Sequence, residues 1–156
     1  MDILIGQFSL FFQGGFMKIA FVQRYAEVGN TVQDRMEARG IKPTLELFRT
    51  NDPREVLELI RSGEQVFVVS GNCFPRWEAN TAAGSILAAM VKDLAPETIF
   101  LMYSTLPTGS PHVDGYVPKD NSHTDPELLI RLFSIPEEDV KIPRLKEMFP
   151  EIKWRQ

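Results

Sequence analysis

The residues able to do chemistry gather at a few points along the chain. The apolar run Val66 to Val69 leads into Ser70, Gly71, Asn72 and Cys73. Backbone N–H groups of a Gly-Asn turn can hold an anion, and the same pair also makes an ordinary turn. Cys73 is the one cysteine of the chain. As a thiolate it would be a nucleophile, with His112 or His123 as its base. A lone cysteine more commonly serves as a small buried hydrophobe, and neither histidine stands in a catalytic signature. His112 and His123 bracket Asp114 and Asp120. A metal centre needs ligands that converge and are held in orientation, which this spacing does not supply, so no metal is assigned. Ser104 and Thr105 end one apolar run and Lys119 ends another, where a lysine can meet an oxyanion or a phosphate. Neither a GxGxxG fingerprint nor a GxxxxGK[ST] loop occurs, so no cofactor is assigned.

These residues fall at the ends of strands in an alternating strand–helix pattern. Lys18 to Val22 is a short continuous apolar run, as a strand buried on both faces requires. Val28, Val32 and Met36 recur at helical spacing and Gly40 ends that helix. Thr44 to Phe48 alternates, which predicts an edge strand. Asp52-Pro53-Arg54-Glu55 is a capping box opening a helix that buries Val56, Leu57 and Ile60 and stops at Gly63. Val66 to Val69 is a third strand. A helix over 81–94 follows, with Ile86, Met90 and Leu94 as its stripe. Ile99 to Tyr103 and Gly115 to Val117 are further strands. Thr124-Asp125-Pro126-Glu127 is a second capping box, before Leu128, Leu129, Leu132 and Phe133. This alternation predicts an α/β, flavodoxin-like three-layer sandwich: a five-stranded parallel sheet in the order 2-1-3-4-5. Pro107, Gly109 and Pro111 deny the fourth crossover a stable helix, so the fourth helix is expected to be missing or reduced. In such a sheet, ligands bind at the carboxyl ends of the strands, where the residues above lie.

With 156 residues the chain is sized for one domain with a real core. Hydrophobic residues are 44% and charged residues 24%, which excludes wholesale disorder. The net charge of −4 argues against broad nucleic-acid or anionic-membrane binding. A single cysteine excludes an internal disulfide and makes a reducing cytoplasm the expected compartment. No run approaches the roughly 18 apolar residues that span a bilayer. Residues 1–16 are apolar and aromatic, with Asp2 but no Lys or Arg, unlike a signal peptide. Met17 then opens MKIAFV as a domain would. Residues 1–16 therefore read as an extension ahead of the domain, either a mis-called start or an appended segment, with an added strand or a partner-binding piece as the functional alternative.

The order of these stretches resembles the receiver domain of bacterial response regulators over 17–136. Val113-Asp114-Gly115-Tyr116-Val117-Pro118-Lys119 is similar to that family's G-A-D-G-Y-L-x-K. The resemblance implies that Lys119 stands where the family's lysine meets the phosphoryl group and Tyr116 where its aromatic switch stands. Ser104, with Thr105 as alternative, takes the place of its hydroxyl residue, and Pro75 that of its loop proline. The departures are at the acidic positions. Gln23 and Arg24 stand in place of the pair that holds Mg²⁺, and Gly71 in place of the phosphoacceptor aspartate. No carboxylate is left there to bind a hard cation or attack a phosphoryl donor.

Residues 137–156 read as a tail. In it Leu145, Met148 and Phe149 share one face of a short helix begun by Pro143 and ended by Pro150, with Trp154 beyond. The helix either docks on the domain or presents Phe149 and Trp154 to a partner. The leading expectation is a stand-alone degenerate receiver, a non-enzymatic protein-interaction module in signalling, with an unidentified protein partner and room for a homodimer. The alternative is a small-anion or nucleotide-binding protein or an enzyme on the same fold, using Cys73, Ser104 and Lys119. A structural protein held by its apolar N-terminal segment and tail is a third reading.

Overall fold

The computed structural model describes residues 17–72, 83–104, 109–119 and 126–156. The first two apolar stretches form β1 (Met17–Val22) and β2 (Glu46–Thr50), joined by α1 (Glu27–Ala38). Then follow α2 (Pro53–Arg61), β3 (Gln65–Ser70), α3 (Ala83–Leu94), β4 (Phe100–Ser104) and β5 (Gly115–Pro118). The chain closes with α4 (Glu127–Phe133), a 3₁₀ turn (Glu137–Asp139), α5 (Ile142–Met148) and β6 (Lys153–Trp154). The sheet order is β2-β1-β3-β4-β5-β6, so the predicted 2-1-3-4-5 core is present. The sheet is nevertheless six-stranded and mixed, not five-stranded and parallel, because β6 pairs antiparallel to β5.

Helices cover both faces, as continuous hydrophobic strands demand. On one face α1, α4 and α5 close over Phe21, Phe67 and Leu101. On the other, α2 and α3 cover Val68, Phe100 and Met102. Phe21 meets Phe133 edge-on with ring centroids 5.2 Å apart, tying β1 to α4. Each fully buried phenylalanine contributes about 2 kcal/mol over an exposed one.

The local signals act much as their chemistry requires. Asp52 caps α2 by accepting from the Arg54 N–H at 3.0 Å. Thr50, not Glu55, closes the reciprocal half of that cap by accepting from the Asp52 N–H at 2.9 Å. The capping box expected at Thr124-Asp125 lies outside the described residues. Its helix buries Leu129, Leu132 and Phe133 as expected, with Ile130 buried beside them and Leu128 only partly so. Among the described residues between β4 and β5, residues 109–114, there is no helix.

One expectation about the helices is overturned. The stripe Ile86, Met90 and Leu94 of α3 does not face the core: these residues are 39%, 38% and 41% exposed. The buried face is Gly84, Leu87, Ala88 and Val91. A Cβ at Gly84 would stand 2.5 Å from the Gly71 carbonyl oxygen. Gly84 therefore marks the point where α3 comes too close to β3 for any side chain, while Leu87, Ala88 and Val91 fill the rest of that face. In residues 137–156 the docked alternative is the one found. Leu145, Phe149 and Ile152 are at most 2% exposed within the core. Trp154 is half-buried and donates its indole N–H to the Phe149 carbonyl at 3.1 Å. Phe149 thus cannot anchor a partner, and Trp154 is largely engaged at home. Gly115 allows this docking, since a Cβ there would come 2.9 Å from Ile152 and 3.0 Å from the Trp154 ring. At the tail's edge Arg131 pairs with Glu151, and that hydrogen bond holds the Glu151 carboxyl below its ordinary range.

Candidate functional site at the carboxyl ends of the strands

The crossovers place the ends of β1, β3, β4 and β5 side by side, and a cavity of about 310 Å³ opens there. Gln23 and Arg24 enter it from β1, Gly71 and Asn72 from β3, Ser104 from β4 and Lys119 from β5. Backbone bonds hold the rim: the Gly71 N–H donates to the Val22 carbonyl at 2.8 Å and the Gln23 N–H to the Thr50 carbonyl at 3.0 Å. The Gln23 side-chain amide donates to the Val22 carbonyl at 2.9 Å. That amide lies across Gly71, 3.4 Å from where a Cβ at this position would be. Asn72 is committed to the fold, its side-chain oxygen accepting from the Gly84 N–H at 3.2 Å at the start of α3.

The cations of this rim rest on rings. The Lys119 ammonium sits 5.4 Å from the centre of Tyr103, and the Arg24 guanidinium 5.2 Å from that of Tyr25. No carboxylate of the described residues lines the cavity.

Of the residues expected to share a site, the structure brings together Gln23, Arg24, Gly71, Ser104 and Lys119. Tyr116 does not line the cavity. Its hydroxyl accepts from the Ser110 N–H at 3.1 Å, on the face that α3 covers. His112 is exposed in a turn and also stands apart from the cavity. Cys73, Thr105, Asp120 and His123 lie outside the described residues.

Two features escaped the sequence reading. The first is Arg49 at the end of β2, which with Arg24, Tyr25 and Glu55 lines an adjoining cavity of about 410 Å³. Its guanidinium donates to the side-chain oxygens of Asn30 (2.9 Å) and Gln33 and to the Ala26 carbonyl (3.0 Å). Among the described residues no carboxylate pairs with it. The buried Gly29 makes room, for a Cβ there would meet the guanidinium at 2.5 Å. A glycine inside a helical pattern was the available signal.

The second is Asp114, buried beneath β5. One of its carboxylate oxygens accepts from Lys92 at 2.7 Å and from the Phe100 N–H at 2.8 Å. The other lies 3.5 Å from Arg155, whose backbone N–H donates to the Asp114 carbonyl at 2.8 Å. One side chain thus ties together the end of α3, the start of β4 and the C-terminal strand. This carboxylate is committed to structure and does not serve a metal with His112.

Comparison with solved structures identifies the fold. The chain is similar to the signal receiver domain of an HD domain-containing protein from Pseudomonas fluorescens Pf-5, at 20% identity and a TM-score of 0.54, over 75% of this chain and 91% of that one. It is similar to the response regulator TrrA of Thermotoga maritima, solved with Mg²⁺ and BeF, at 14% identity and a TM-score of 0.54, over 76% and 99% of the two chains. The receiver domain of the Francisella response regulator 1452 matches at 15% identity and a TM-score of 0.51, over 75% and 95%. No protein-family model and no curated protein matches the chain. The fold is therefore that of response-regulator receiver domains, a flavodoxin-like sheet carrying one added antiparallel strand. No helix of the described residues is long and apolar enough to cross a membrane.

Proposed function

We propose that this chain is a receiver-fold module of signal transduction that docks a cytoplasmic protein partner without being phosphorylated, and that it is not an enzyme. The observation that carries this reading is the make-up of the strand-end cavity. Gln23, Arg24 and Gly71, which the sequence resemblance aligns with the acidic pair and the phosphoacceptor, line it. A hard divalent cation needs oxygen ligands, carboxylates first, and the described rim offers the amides of Gln23 and Asn72 and the hydroxyls of Tyr25, Tyr103 and Ser104 beside two cations. This donor set does not suit Mg²⁺, and the positive charge of Arg24 opposes it. The Gln23 amide crosses the space above Gly71. Tyr116, the counterpart of the switch aromatic, is bonded to the loop before β5 and not to the cavity. The test is incubation of the full chain with acetyl phosphate and Mg²⁺, read by intact mass. The expected result is no phosphoryl adduct; a stable, acid-resistant and base-labile acyl phosphate would overturn the reading.

A second reading is favoured by one observation. Arg24, Arg49 and Lys119 border two adjoining cavities, and among the described residues none forms a salt bridge with a carboxylate. Such a rim would bind a small anion or a partner's carboxylate directly, without a metal. Inorganic phosphate titrated in the absence of Mg²⁺ should then shift the amide signals of Arg24 and Lys119 saturably. Shifts that grow linearly and equally across the surface would remove it.

A further inference from the structure

The cavity over the ends of β1 and β2 holds opposite charges that do not meet. Arg24, Arg49 and Glu55 all line it. Arg49 is half-buried and anchored by neutral acceptors, the side-chain oxygens of Asn30 and Gln33 and the Ala26 carbonyl. Its guanidinium keeps donors to spare after those bonds. Glu55 accepts from the Thr50 hydroxyl through one carboxylate oxygen. Arg54, beside it in sequence, is turned to Asp52 instead, with both its Nε and one Nη at 3.0 Å from that carboxylate. Among the described residues no salt bridge joins Glu55 to a cation, nor Arg24 or Arg49 to a carboxylate.

A guanidinium already held in place binds an anion without a further ordering cost, and Arg49 is so held. A phosphate would answer the two arginines but would stand against Glu55. A ligand of both signs answers all three, its carboxylate toward the arginines and its ammonium toward Glu55. The rest of the wall is apolar or aromatic, with Phe21, Ala26 and Tyr25. Tyr25 is 63% exposed, a ring surface that a second aromatic ring would cover. At about 410 Å³ the cavity lies toward the small end of the roughly 300–1,000 Å³ range of ligand sites, which suits one small molecule.

We propose that this cavity binds a free aromatic amino acid, with its carboxylate at Arg24 and Arg49, its ammonium at Glu55 and its ring against Tyr25. The site rests on the second reading above, in which the cations at the strand ends are open to an anion, and gives that anion a chemical class. It does not depend on whether the chain is phosphorylated.

L-Phenylalanine titrated into the full chain without Mg²⁺, followed by amide proton–nitrogen correlation spectra, tests it. Saturable shifts are expected at Arg24, Thr50, Asn51 and Glu55. N-Acetyl-L-phenylalanine lacks the ammonium and phenethylamine lacks the carboxylate, and each should bind about tenfold more weakly. Glu55→Gln keeps an acceptor for the Thr50 hydroxyl and removes only the charge. It should weaken L-phenylalanine about tenfold and leave N-acetyl-L-phenylalanine unchanged. No saturable shift with L-phenylalanine would overturn the proposal. So would N-acetyl-L-phenylalanine binding as tightly as the free amino acid, or an equal loss of both ligands in Glu55→Gln. Inorganic phosphate in the same buffer separates the two readings. Saturable phosphate shifts without L-phenylalanine shifts sink the amino-acid site alone, and silence from both ligands sinks the anion-binding rim with it.

Discussion

The molecule holds its charges in two contrasting ways at the two ends of β5. At the start of the strand, Asp114 is buried and its carboxylate is shared among Lys92, the Phe100 N–H and Arg155. At its end, Lys119 lies on an aromatic ring across a cavity from Arg24, with no carboxylate of the described residues on the rim. A buried charge is tolerable only when it is paired and hydrogen-bonded, and Asp114 is both. Cations at a half-open rim keep access to water and need no partner. The first arrangement serves stability and the second leaves charge available to something that arrives from solution. A charged residue's neighbours, rather than its position in a familiar motif, decide which it does.

The largest effect should come from breaking the paired end. Asp114→Ala takes the counter-charge from Lys92, which keeps only the Thr98 carbonyl as acceptor at 2.6 Å, leaves the Phe100 N–H unsatisfied, and should cost about 3 kcal/mol in urea-induced unfolding. Lys92→Met should cost clearly less, because Asp114 keeps the Phe100 N–H and Arg155. Equal losses would mean that the ion pair itself, and not the carboxylate hub, carries the stability.

Next is the close approach that sets the floor of the rim. Gly84→Val places side-chain atoms against the Gly71 carbonyl and should cost about 1–3 kcal/mol in the same assay. Its amide shifts should concentrate at Gly71 and Asn72. A neutral result would mean that α3 can move off the sheet freely.

At the unpaired end the expectation reverses. Arg24→Ala and Lys119→Ala should change stability by no more than about 0.5 kcal/mol. Each should weaken any saturable phosphate binding seen at the rim. A large loss of stability would show that these cations, too, are structural.

The smallest effect concerns Lys18, whose ammonium is held above its ordinary range chiefly by its hydrogen bond to Glu64, then by the nearby charge of Glu46. A raised amine pKa contributes stability that is full below the unfolded value of about 10.4 and is lost as pH rises through the folded one. Glu64 is partly exposed, so the pair is worth about 0.5 kcal/mol after solvent screening. Wild type and Glu64→Gln should differ by this amount at neutral pH and converge above pH ~11. A gap that stays constant into strong alkali would assign the effect to something other than the pair.

The sheet was legible because its signals are local and redundant. Apolar runs such as Val66–Val69 and stops such as Gly40 and Gly63 leave few alternatives, and right-handed crossovers then dictate the strand order. The strand-end residues were legible for the same reason, since the topology alone brings Gln23, Gly71, Ser104 and Lys119 together. What was not legible depends on distance between elements. Periodicity marks Ile86, Met90 and Leu94 as one line but cannot say that Gly84 and Ala88 pack against the sheet instead. A two-residue strand such as β6 carries no pattern of its own and is set by contacts with Gly115 and Asp114. The roles of Arg49 and Asp114 likewise appear only once residues far apart in sequence are placed side by side.

The most direct test of the central claim is a set of amide proton–nitrogen correlation spectra of the full chain, with and without Mg²⁺ plus beryllofluoride. The account predicts no saturable change at Gly71, Ser104 or Lys119 that requires Mg²⁺. Mg²⁺-dependent, saturable shifts at these three residues, spreading to Tyr116, would show a working phosphoryl pocket and contradict it.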